Sequence, residues 1–283
     1  MSAEAARPGI FEDVDRPAIE LVVTDLDGTL LDPEEGIHPL ALAAVVGLID
    51  RGVQVLVATG RRHRTALPIL SGAGLSLPGI YQDGAVGVHA DGARFHLDAF
   101  TKEAASRVFE ALAGLGVAPL IVVDRPEADL VVTPGYTGSP AHLERNRRWI
   151  AGEDPARALA EETILTFIVS GVDPEILGPV EDRLKGLASA SVTPDLHYGG
   201  VTLQVLPPGV SKWTGVSTYC RLKGIDEGRV LAVGDGANDL ELLRGSRVAC
   251  VMANGVPEAV ALADHVLPPA TAGGWAGVAD LVD

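Results

Sequence analysis

The stretch Leu21-Val22-Val23-Thr24-Asp25-Leu26-Asp27-Gly28-Thr29-Leu30 joins an apolar run directly to two aspartates and a Gly-Thr pair. The apolar run predicts a buried β-strand, and such a strand gains nothing structurally from ending in two carboxylates. In open α/β sheets, ligands bind in the crevice outside the carboxyl ends of the strands. The pattern therefore predicts a functional site at this strand end, although a calcium-binding turn or a solvated loop would share the local pattern.

Three further segments carry polar groups in comparable places. Val53–Ala58 is a second strand-like run that leads into a Thr-Gly-Arg sequence, and Val230–Val233 is a third that leads into acids. The three polar segments are Thr59-Gly60-Arg61, Gly209-Val210-Ser211-Lys212 and Gly234-Asp235-Gly236-Ala237-Asn238-Asp239. Because the carboxyl ends of parallel strands meet at one edge of a sheet, these groups are predicted to lie together.

Taken one at a time, the three segments also have purely structural explanations. Thr59-Gly60 would suit an ordinary turn after a strand. Ser211 would cap the helix that Lys212 opens. Asp235 and Asp239 would complement a helix dipole. Four independent turns would then have to supply these groups in this order by coincidence, so the functional interpretation is favoured.

The order of the motifs, an acidic pair, a threonine, a lysine and a second acidic cluster, resembles that of the haloacid dehalogenase superfamily of phosphatases. The three polar segments are each close to the Cof-type branch, which carries a C2-type cap, and the likeness spans about Ile19 to Ala263. Two segments depart from the pattern. Gln82-Asp83-Gly84-Ala85 stands where the branch usually has Asn-Gly-Ala, and Met252-Ala253-Asn254-Gly255 rearranges a Met-Gly-Asn-Ala segment. An acid at Asp83 is expected to alter the hinge or to repel a substrate anion.

The resemblance implies a two-step phosphoryl transfer. Asp25 is expected to be the nucleophile that forms an aspartyl phosphate, and Asp27 to act as acid and then as base. Mg²⁺ is the implied cofactor, because it takes hard oxygen ligands and keeps some of its waters. The implied sets are catalytic Asp25, Asp27, Thr59 and Lys212; substrate-binding Gly60, Arg61 and Asn238; and metal-binding Asp25, Asp27 through its backbone carbonyl, Asp235, and Asp239 directly or through water.

The alternation of predicted elements divides the chain. A strand, helix, strand, helix, strand series from Ile19 to Gln82 predicts an α/β fold with a doubly wound parallel Rossmann-like sheet. Hairpins and mixed helices follow, which predicts an inserted α+β cap domain with helices at His142–Ile150 and Pro174–Leu187. The predicted parts are residues 1–84 and 207–283 as the two parts of the core, 1–17 as a flexible tail, and 85–206 as the cap.

Composition limits the partners and the location. The formal charge of −16 argues against a nucleic-acid partner, which would need clustered Lys and Arg. No segment approaches the ~20 unbroken apolar residues of a membrane helix, and Met1–Arg16 lacks the apolar run of a signal peptide. Cys220 and Cys250 lie in apolar contexts, so both are expected to be buried free thiols, which suits a cytoplasmic protein.

The predicted function is Mg²⁺-dependent hydrolysis of a small phosphorylated metabolite, with a sugar phosphate as the expected substrate. Two alternatives stay open: a phosphosugar mutase of the same superfamily, and a non-catalytic protein that binds sugar phosphates and regulates a partner. In the cap, Arg145, Arg147 and Arg148 are expected either to contact a second anionic group or, more simply, to form an exposed basic helix face. The sequence leaves the oligomeric state open.

Overall fold

The computed structural model of the chain describes residues 19–32 and 36–282, in which short strands alternate with helices. The strands are β1 (Leu21–Thr24), β2 (Leu31–Asp32), β3 (Gly36–Ile37), β4 (Gln54–Ala58), β5 (Gly79–Tyr81), β6 (Val86–Val88), β7 (Arg94–Leu97), β8 (Leu120–Val123), β9 (Leu130–Val132), β10 (Ile150–Ala151), β11 (Ile164–Val172), β12 (Ser189–Pro194), β13 (Val201–Leu206), β14 (Val230–Gly234), β15 (Val248–Met252) and β16 (His265–Leu267). The helices are α1 (Pro39–Asp50), α2 (His63–Gly72), α3 (Lys102–Gly114), α4 (Pro140–Asn146), α5 (Pro155–Glu161), α6 (Pro174–Leu177), α7 (Val180–Leu184), α8 (Lys212–Lys223), α9 (Leu240–Gly245) and α10 (Pro257–Val260).

Eight strands form one large, mostly parallel sheet in the order β16-β15-β14-β1-β4-β5-β6-β7. Every residue of β1 is buried, because apolar clusters cover both faces of the sheet. Val22 belongs to the cluster on one face, whereas Leu21 and Val23 belong to the cluster on the other. This is the predicted doubly wound architecture. Strand order runs outward from β1 in both directions, so the carboxyl ends of β1, β4 and β14 border a topological switch point.

A second sheet of six strands has the order β10-β9-β8-β11-β13-β12. One face packs against α3, α5, α6 and α7 through apolar side chains that include Phe167, Leu203 and Val205. Because side chains alternate along a strand, the intervening residues of β13, Thr202 and Gln204, lie on the opposite face. This sheet therefore has one apolar face and one face with polar positions. The sheet and its helices are called the cap below.

Strands β6 and β7 lie in the large sheet, although the predicted cap, residues 85–206, includes them. The Asp91-Gly92 turn predicts that these strands pair with each other, as they do, but a hairpin signal does not specify which sheet the pair extends. Gln82 and Asp83 both have positive φ, 52° and 48°, and turn the chain so that β6 pairs with β5. We propose that the inserted cap begins near Thr101 and ends at Leu206.

Helices within the cap differ from the prediction in three places. The predicted helix Pro174–Leu187 is broken into α6 and α7, because Gly178 has a φ of 47° and a proline follows it. The predicted helix His142–Ile150 instead ends as α4 at Asn146, and a short 3₁₀ turn leads into β10. Helix α5 was not predicted, although Asp154 is a helix cap followed by proline, which is a helix-start signal.

The part of the chain that the structure describes has no helix long and apolar enough to cross a membrane. Cys220 and Cys250 are free and buried, as predicted. Burial raises the pKa of Cys220 to about 11 and that of Cys250 to about 12, so both stay protonated near neutral pH. The predicted tail, residues 1–17, falls outside the described residues.

Candidate active site

Three strand ends meet at the carboxyl edge of the large sheet. Asp25 follows β1, Thr59 follows β4, and Asp235 follows β14. Strand β1 lies between the other two, and the amide of Asp25 donates a hydrogen bond to the carbonyl of Val233 at 2.9 Å. Predicted site residues from three distant segments of the chain are therefore neighbours, because parallel strands bring their carboxyl ends to the same edge.

Lys212 is a fully buried cation at the centre of this edge. Its Nζ donates to Oδ1 of Asp25 at 2.8 Å and to Oδ1 of Asp239 at 2.7 Å. Oδ1 of Asp83 lies 3.8 Å from the same nitrogen. Burial by itself lowers the pKa of Lys212, but the charges of Asp239, Asp25 and Asp83 outweigh burial and hold this pKa above its ordinary value. Lys212 therefore supplies a fixed positive charge.

The start of α8 places Lys212 in the site. The hydroxyl of Ser211 accepts a hydrogen bond from the amide of Thr214, so Ser211 is the N-cap that its position predicts. Gly84 packs against this helix start with a φ of 121°, and a Cβ on Gly84 would lie 2.2 Å from the Ser211 carbonyl oxygen. Because Gly84 has no side chain, the loop after β5 contacts the first turn of α8 backbone to backbone.

Asp25, Asp235 and Asp239 form a carboxylate cluster in which one oxygen from each residue lies within 4.8 Å of the others. The hydroxyl of Thr29 donates to Oδ1 of Asp235 at 2.5 Å. A Cβ on Gly28 would lie 2.5 Å from Oδ2 of Asp235. Gly28 therefore allows the loop after β1 to lie close to the loop after β14, and the hydroxyl of Thr29 links the two loops through Asp235.

Asp239 is fully buried, and both of its carboxylate oxygens accept hydrogen bonds. Oδ1 accepts from Lys212, as described above. Oδ2 accepts from the amides of Asp235 and Gly236 at 3.0 Å and 2.8 Å. Asp239 thus orders the turn that carries Asp235 and connects this turn to the buried cation.

The carboxylate cluster holds more negative charge than Lys212 balances. Burial raises the pKa of Asp25, and the attraction of Lys212 does not cancel this effect. Burial, together with the charge of Asp239, raises the pKa of Asp235 to about 7. Crowded carboxylates of this kind favour a divalent cation with a preference for oxygen ligands, so the donor set fits Mg²⁺.

Asp27 pairs with Arg61 at the more open side of the cleft. Nε of Arg61 lies 2.6 Å from Oδ2 of Asp27, and Nη2 lies 2.5 Å from Oδ1. The side chain of Asp27 is 32% exposed, in contrast to the buried Asp25 and Asp239. Nε2 of His197, in the cap loop between β12 and β13, lies 3.5 Å from Nη2 of Arg61. A cap residue, His197, therefore lies next to the guanidinium of Arg61, which pairs with Asp27.

Asp83 is surrounded by the remaining predicted site residues. Nδ2 of Asn238 donates to Oδ1 of Asp83 at 2.9 Å, and a Cβ on Gly60 would lie 3.2 Å from the same oxygen. The amide of Asp83 donates to the carbonyl of the buried Thr59 at 3.1 Å. Burial raises the pKa of Asp83, and Lys212 and Asn238 oppose this shift. The residue that departs from the family pattern is thus a buried part of the site.

Three polar residues that border the site were not predicted. Nδ2 of Asn254 donates to the carbonyl of Gly28 at 2.9 Å and lies 3.4 Å from Oδ2 of Asp235. Its signal was present in the sequence, since Asn254 belongs to a segment that resembles a family motif. His197 and Gln204 come from the cap, and no local pattern shows which core residues a cap side chain will face.

Arg62 and Arg64 connect α2 to the cap through one buried carboxylate. Nη1 of Arg62 lies 2.5 Å from Oδ1 of Asp129, and Nε of Arg64 lies 3.1 Å from Oδ2. Arg62 also donates to Oδ1 of Asn146 at 2.6 Å, and Arg64 stacks on the ring of Trp149. The arginines directly after the Thr-Gly-Arg motif therefore hold the cap over the cleft.

The three arginines predicted at the cap, Arg145, Arg147 and Arg148, are all exposed. Arg147 pairs with Glu144 at 3.4 Å, and the guanidinium of Arg148 lies 4.6 Å from the ring centroid of Trp149. These contacts match the simpler expectation of an exposed basic face.

Comparisons with known proteins agree with this geometry. The model of the haloacid dehalogenase-like hydrolase family matches residues 22–280. The HMP-PP phosphatase of Serratia proteamaculans (strain 568) is 26% identical over 259 residues, which cover 84% of this chain and 85% of that protein. The 5-amino-6-(5-phospho-D-ribitylamino)uracil phosphatase YbjI of Escherichia coli (strain K12) is 23% identical over 285 residues, covering 94% and 96%.

The chain is also similar to part of a longer protein and to a solved structure. The chloroplastic endoribonuclease YBEY of Arabidopsis thaliana is 24% identical over 270 residues, which cover 89% of this chain but only 44% of that protein. The solved structure of the phosphatase BT1666 from Bacteroides thetaiotaomicron superposes with a TM-score of 0.79 at 19% identity, covering 98% of this chain and 99% of that one. The chain therefore belongs to the haloacid dehalogenase-like hydrolase family.

Proposed function

We propose that this chain is a Mg²⁺-dependent phosphomonoester hydrolase that acts on a small phosphorylated metabolite, such as a sugar phosphate, through an aspartyl-phosphate intermediate. The observation that carries the proposal is the Asp25 carboxylate, hydrogen-bonded to the buried Lys212 and clustered with Asp235 and Asp239. The relatives from Serratia and Escherichia are named as phosphatases, which supports a phosphate ester as the substrate.

Asp25 is the proposed nucleophile. In the first step one carboxylate oxygen of Asp25 bonds to phosphorus while the phosphorus–oxygen ester bond breaks, and Asp27 gives a proton to the departing oxygen. In the second step water attacks phosphorus and Asp27 takes a proton from this water. The bond between Asp25 and phosphorus breaks, so inorganic phosphate leaves and both aspartates return to their initial states.

Arg61 is proposed to change partners when substrate enters. Both oxygens of Asp27 accept from Arg61, so proton transfer at Asp27 requires at least one of these hydrogen bonds to open. A substrate oxygen gives the guanidinium an alternative acceptor. Gly60, beside Arg61, lets the side chains of Asp83 and Gln204 lie close to this loop, which is proposed to bind the substrate. This exchange would link substrate binding to the freeing of the acid–base group.

Thr59, Lys212 and Asn238 are proposed to hold the transferring phosphoryl group. The hydroxyl of Thr59 would donate a hydrogen bond to a phosphoryl oxygen, and Lys212 would balance the negative charge that accumulates on these oxygens. Asn238 would orient the group from the neighbouring loop. Buried donors that are fixed before the reaction need little reorganisation during it, which makes their contribution large.

Mg²⁺ is proposed to bind Asp25, Asp235 and the backbone carbonyl of Asp27. Asp239 would act on the metal through water, because Lys212 and two backbone amides already occupy its oxygens. The bound ion would neutralise phosphoryl oxygens, so that an anionic carboxylate can approach an anionic ester. Thr29 and Asn254 would keep Asp235 oriented toward this site.

Phosphate release from a panel of phosphorylated metabolites tests the proposal. With Mg²⁺ the protein is expected to release phosphate from some of them, and excess chelator is expected to abolish this activity. Asp25→Asn should lower kcat by roughly ten-thousandfold or more. Asp154→Asn is the matched control, because Asp154 is an exposed helix cap and asparagine caps equally well. Full activity of Asp25→Asn, or in chelator, would contradict the proposal, and conversion of a hexose 1-phosphate into a 6-phosphate would indicate a mutase.

A further inference from the structure

The cap places a buried side-chain amide above the active site, and the nitrogen of this amide has no hydrogen-bond partner among the described residues. Gln204 is only 5% exposed, and its Nε2 has no hydrogen-bond partner among the described residues. Buried polar atoms in native structures are nearly always paired, so an unpaired one needs an explanation. A ligand oxygen that binds there would supply the missing partner.

The side chain of Gln204 reaches from the cap to the active-site edge. Its neighbours on β13, Leu203 and Val205, belong to the apolar cluster of the cap, so Gln204 points from the other face of the sheet. Its Oε1 lies 3.4 Å from a Cβ built on Gly60, and the carboxylate oxygens of Asp83 lie 3.2 Å and 3.3 Å from the same Cβ. Gln204 therefore adjoins the proposed substrate-binding loop.

Gln204 has one polar and one apolar cross-strand neighbour on this face of the cap. Ser191 and Ile168 are its cross-strand neighbours in the sheet, and Thr193 and Thr202 form the next pair along. The hydroxyl of Thr202 donates to Oδ2 of Asp195 at 2.7 Å. Near Gln204 the face therefore carries several neutral hydrogen-bonding groups beside an apolar side chain, and its charge at Asp195 is negative.

A second unpaired atom lies in the loop opposite the cap. Gln82 is 6% exposed and its Oε1 has no hydrogen-bond partner in the described residues. Its amide donates to the carbonyl of Arg61 at 3.0 Å, so this residue also borders the motif after β4. Gln82 therefore leaves a buried acceptor unpaired in a residue whose backbone contacts the motif after β4.

The charges at this end of the cleft disfavour a second anion. Arg61 is engaged by Asp27 and, in the proposed exchange, by a substrate oxygen, and Lys212 is engaged by Asp25 and Asp239. Asp83 adds a further buried carboxylate beside Gln204. A carboxylate or second phosphate on the leaving group would meet these acids, and the nearby described cations are already paired.

We propose that Gln204 is a specificity-determining residue that hydrogen-bonds a neutral oxygen of the leaving group. This inference rests on the proposed function, and it assigns the substrate class as phosphomonoesters of hydroxylated, otherwise uncharged leaving groups. Nε2 of Gln204 donates to a leaving-group oxygen, and Oε1 accepts from a hydroxyl. A site that pairs buried polar groups with a substrate hydroxyl rejects analogues that lack this hydroxyl.

Steady-state kinetics with three substrate series tests the inference: polyol and aldose phosphates, alkyl phosphates of equal chain length, and phosphorylated hydroxy acids. The wild type is expected to prefer the first series. Gln204→Leu should lower kcat/KM about tenfold for polyol and aldose phosphates, mainly through KM, and leave alkyl phosphates within about twofold. Gln54→Leu is the matched control, since Gln54 is exposed at the opposite end of β4.

Gln204→Glu keeps the size of the side chain but removes the donor, so it should weaken the same substrates even if Gln204→Leu folds poorly. Melting temperatures of both variants check folding. Equal losses on polyol and alkyl phosphates, no loss on either, or a wild-type preference for the hydroxy-acid series would overturn the inference alone. If the wild type releases no phosphate from any series or from p-nitrophenyl phosphate, the proposed function fails, and the inference fails with it.

Discussion

The core side of the cleft presents charged side chains, whereas the cap side presents mainly neutral polar side chains. On the core side a buried lysine lies among three carboxylates, and Arg61 pairs with Asp27. The cap side presents the amide of Gln204 with serine and threonine neighbours. Fixed charge stabilises phosphoryl transfer from any monoester, whereas neutral hydrogen bonds distinguish one leaving group from another. Changes on the core side should therefore affect every substrate alike, and changes on the cap side should alter preference.

Lys212→Met is the most severe test of the core side. Removing the buried cation should lower kcat/KM roughly a thousandfold for every substrate, because a fixed positive charge is lost from the transferring group. It should also lower the free energy of unfolding by about 3–5 kcal/mol, since buried carboxylates lose their partner. Kinetics and denaturant unfolding measure the two effects. Lys223→Met, at the exposed end of the same helix, is the control, and a loss confined to some substrates would contradict the comparison.

The carboxylate cluster predicts an unusual pH dependence of stability without metal. Because the folded-state pKa of Asp235 is raised to about 7, its contribution favours folding below its unfolded value near 3.8 and is lost as pH rises through about 7. Mg²⁺ displaces the proton, so it should raise Tm more at pH values above 7 than at pH values well below it. Thermal melts across this range measure the difference. An increase in Tm that is larger at low pH would show that the cluster does not bind the ion.

Asp129→Asn tests the connection between the two sides. Asp129 is buried and pairs with Arg62 and Arg64, so the substitution should cost about 1–3 kcal/mol of unfolding free energy and raise KM severalfold for all substrates. Glu144→Gln is the control, because its pair with Arg147 is exposed and should contribute less than about 1 kcal/mol. Equal effects of the two substitutions would show that Asp129 does not connect the cap to the core.

The smallest effect is expected at the exposed arginines of the cap. Arg147 and Arg148 contact Glu144 and Trp149 and, among the described residues, make no contact with the site, so replacing both by alanine should leave KM unchanged across the substrate panel. A KM that rises selectively for substrates with a second anionic group would show that these arginines bind substrate. The substrate-binding part of the cap would then extend to them.

The core side was largely predictable from the sequence and the cap side was not. Asp25, Thr59 and Asp235 follow apolar strands, and parallel pairing requires such strand ends to share an edge. Lys212 follows a helix cap that local pattern also predicts. The position of Gln204 depends instead on how one sheet lies over another, and alternation along β13 gives its face but not what the face opposes. The same limit applies to β6 and β7, because their hairpin signal does not specify that the pair extends the large sheet.

Glycine at position 84 has a consequence for how the cap is connected to the buried lysine. A methyl group there would lie 2.2 Å from the Ser211 carbonyl oxygen, so the loop after β5 and the first turn of α8 pack backbone against backbone. That loop leads into β6 and β7, the route by which the chain enters the cap, and α8 begins with the lysine that touches Asp25. A shift of the cap relative to the core would therefore be expected to move the start of α8, and with it the lysine beside Asp25.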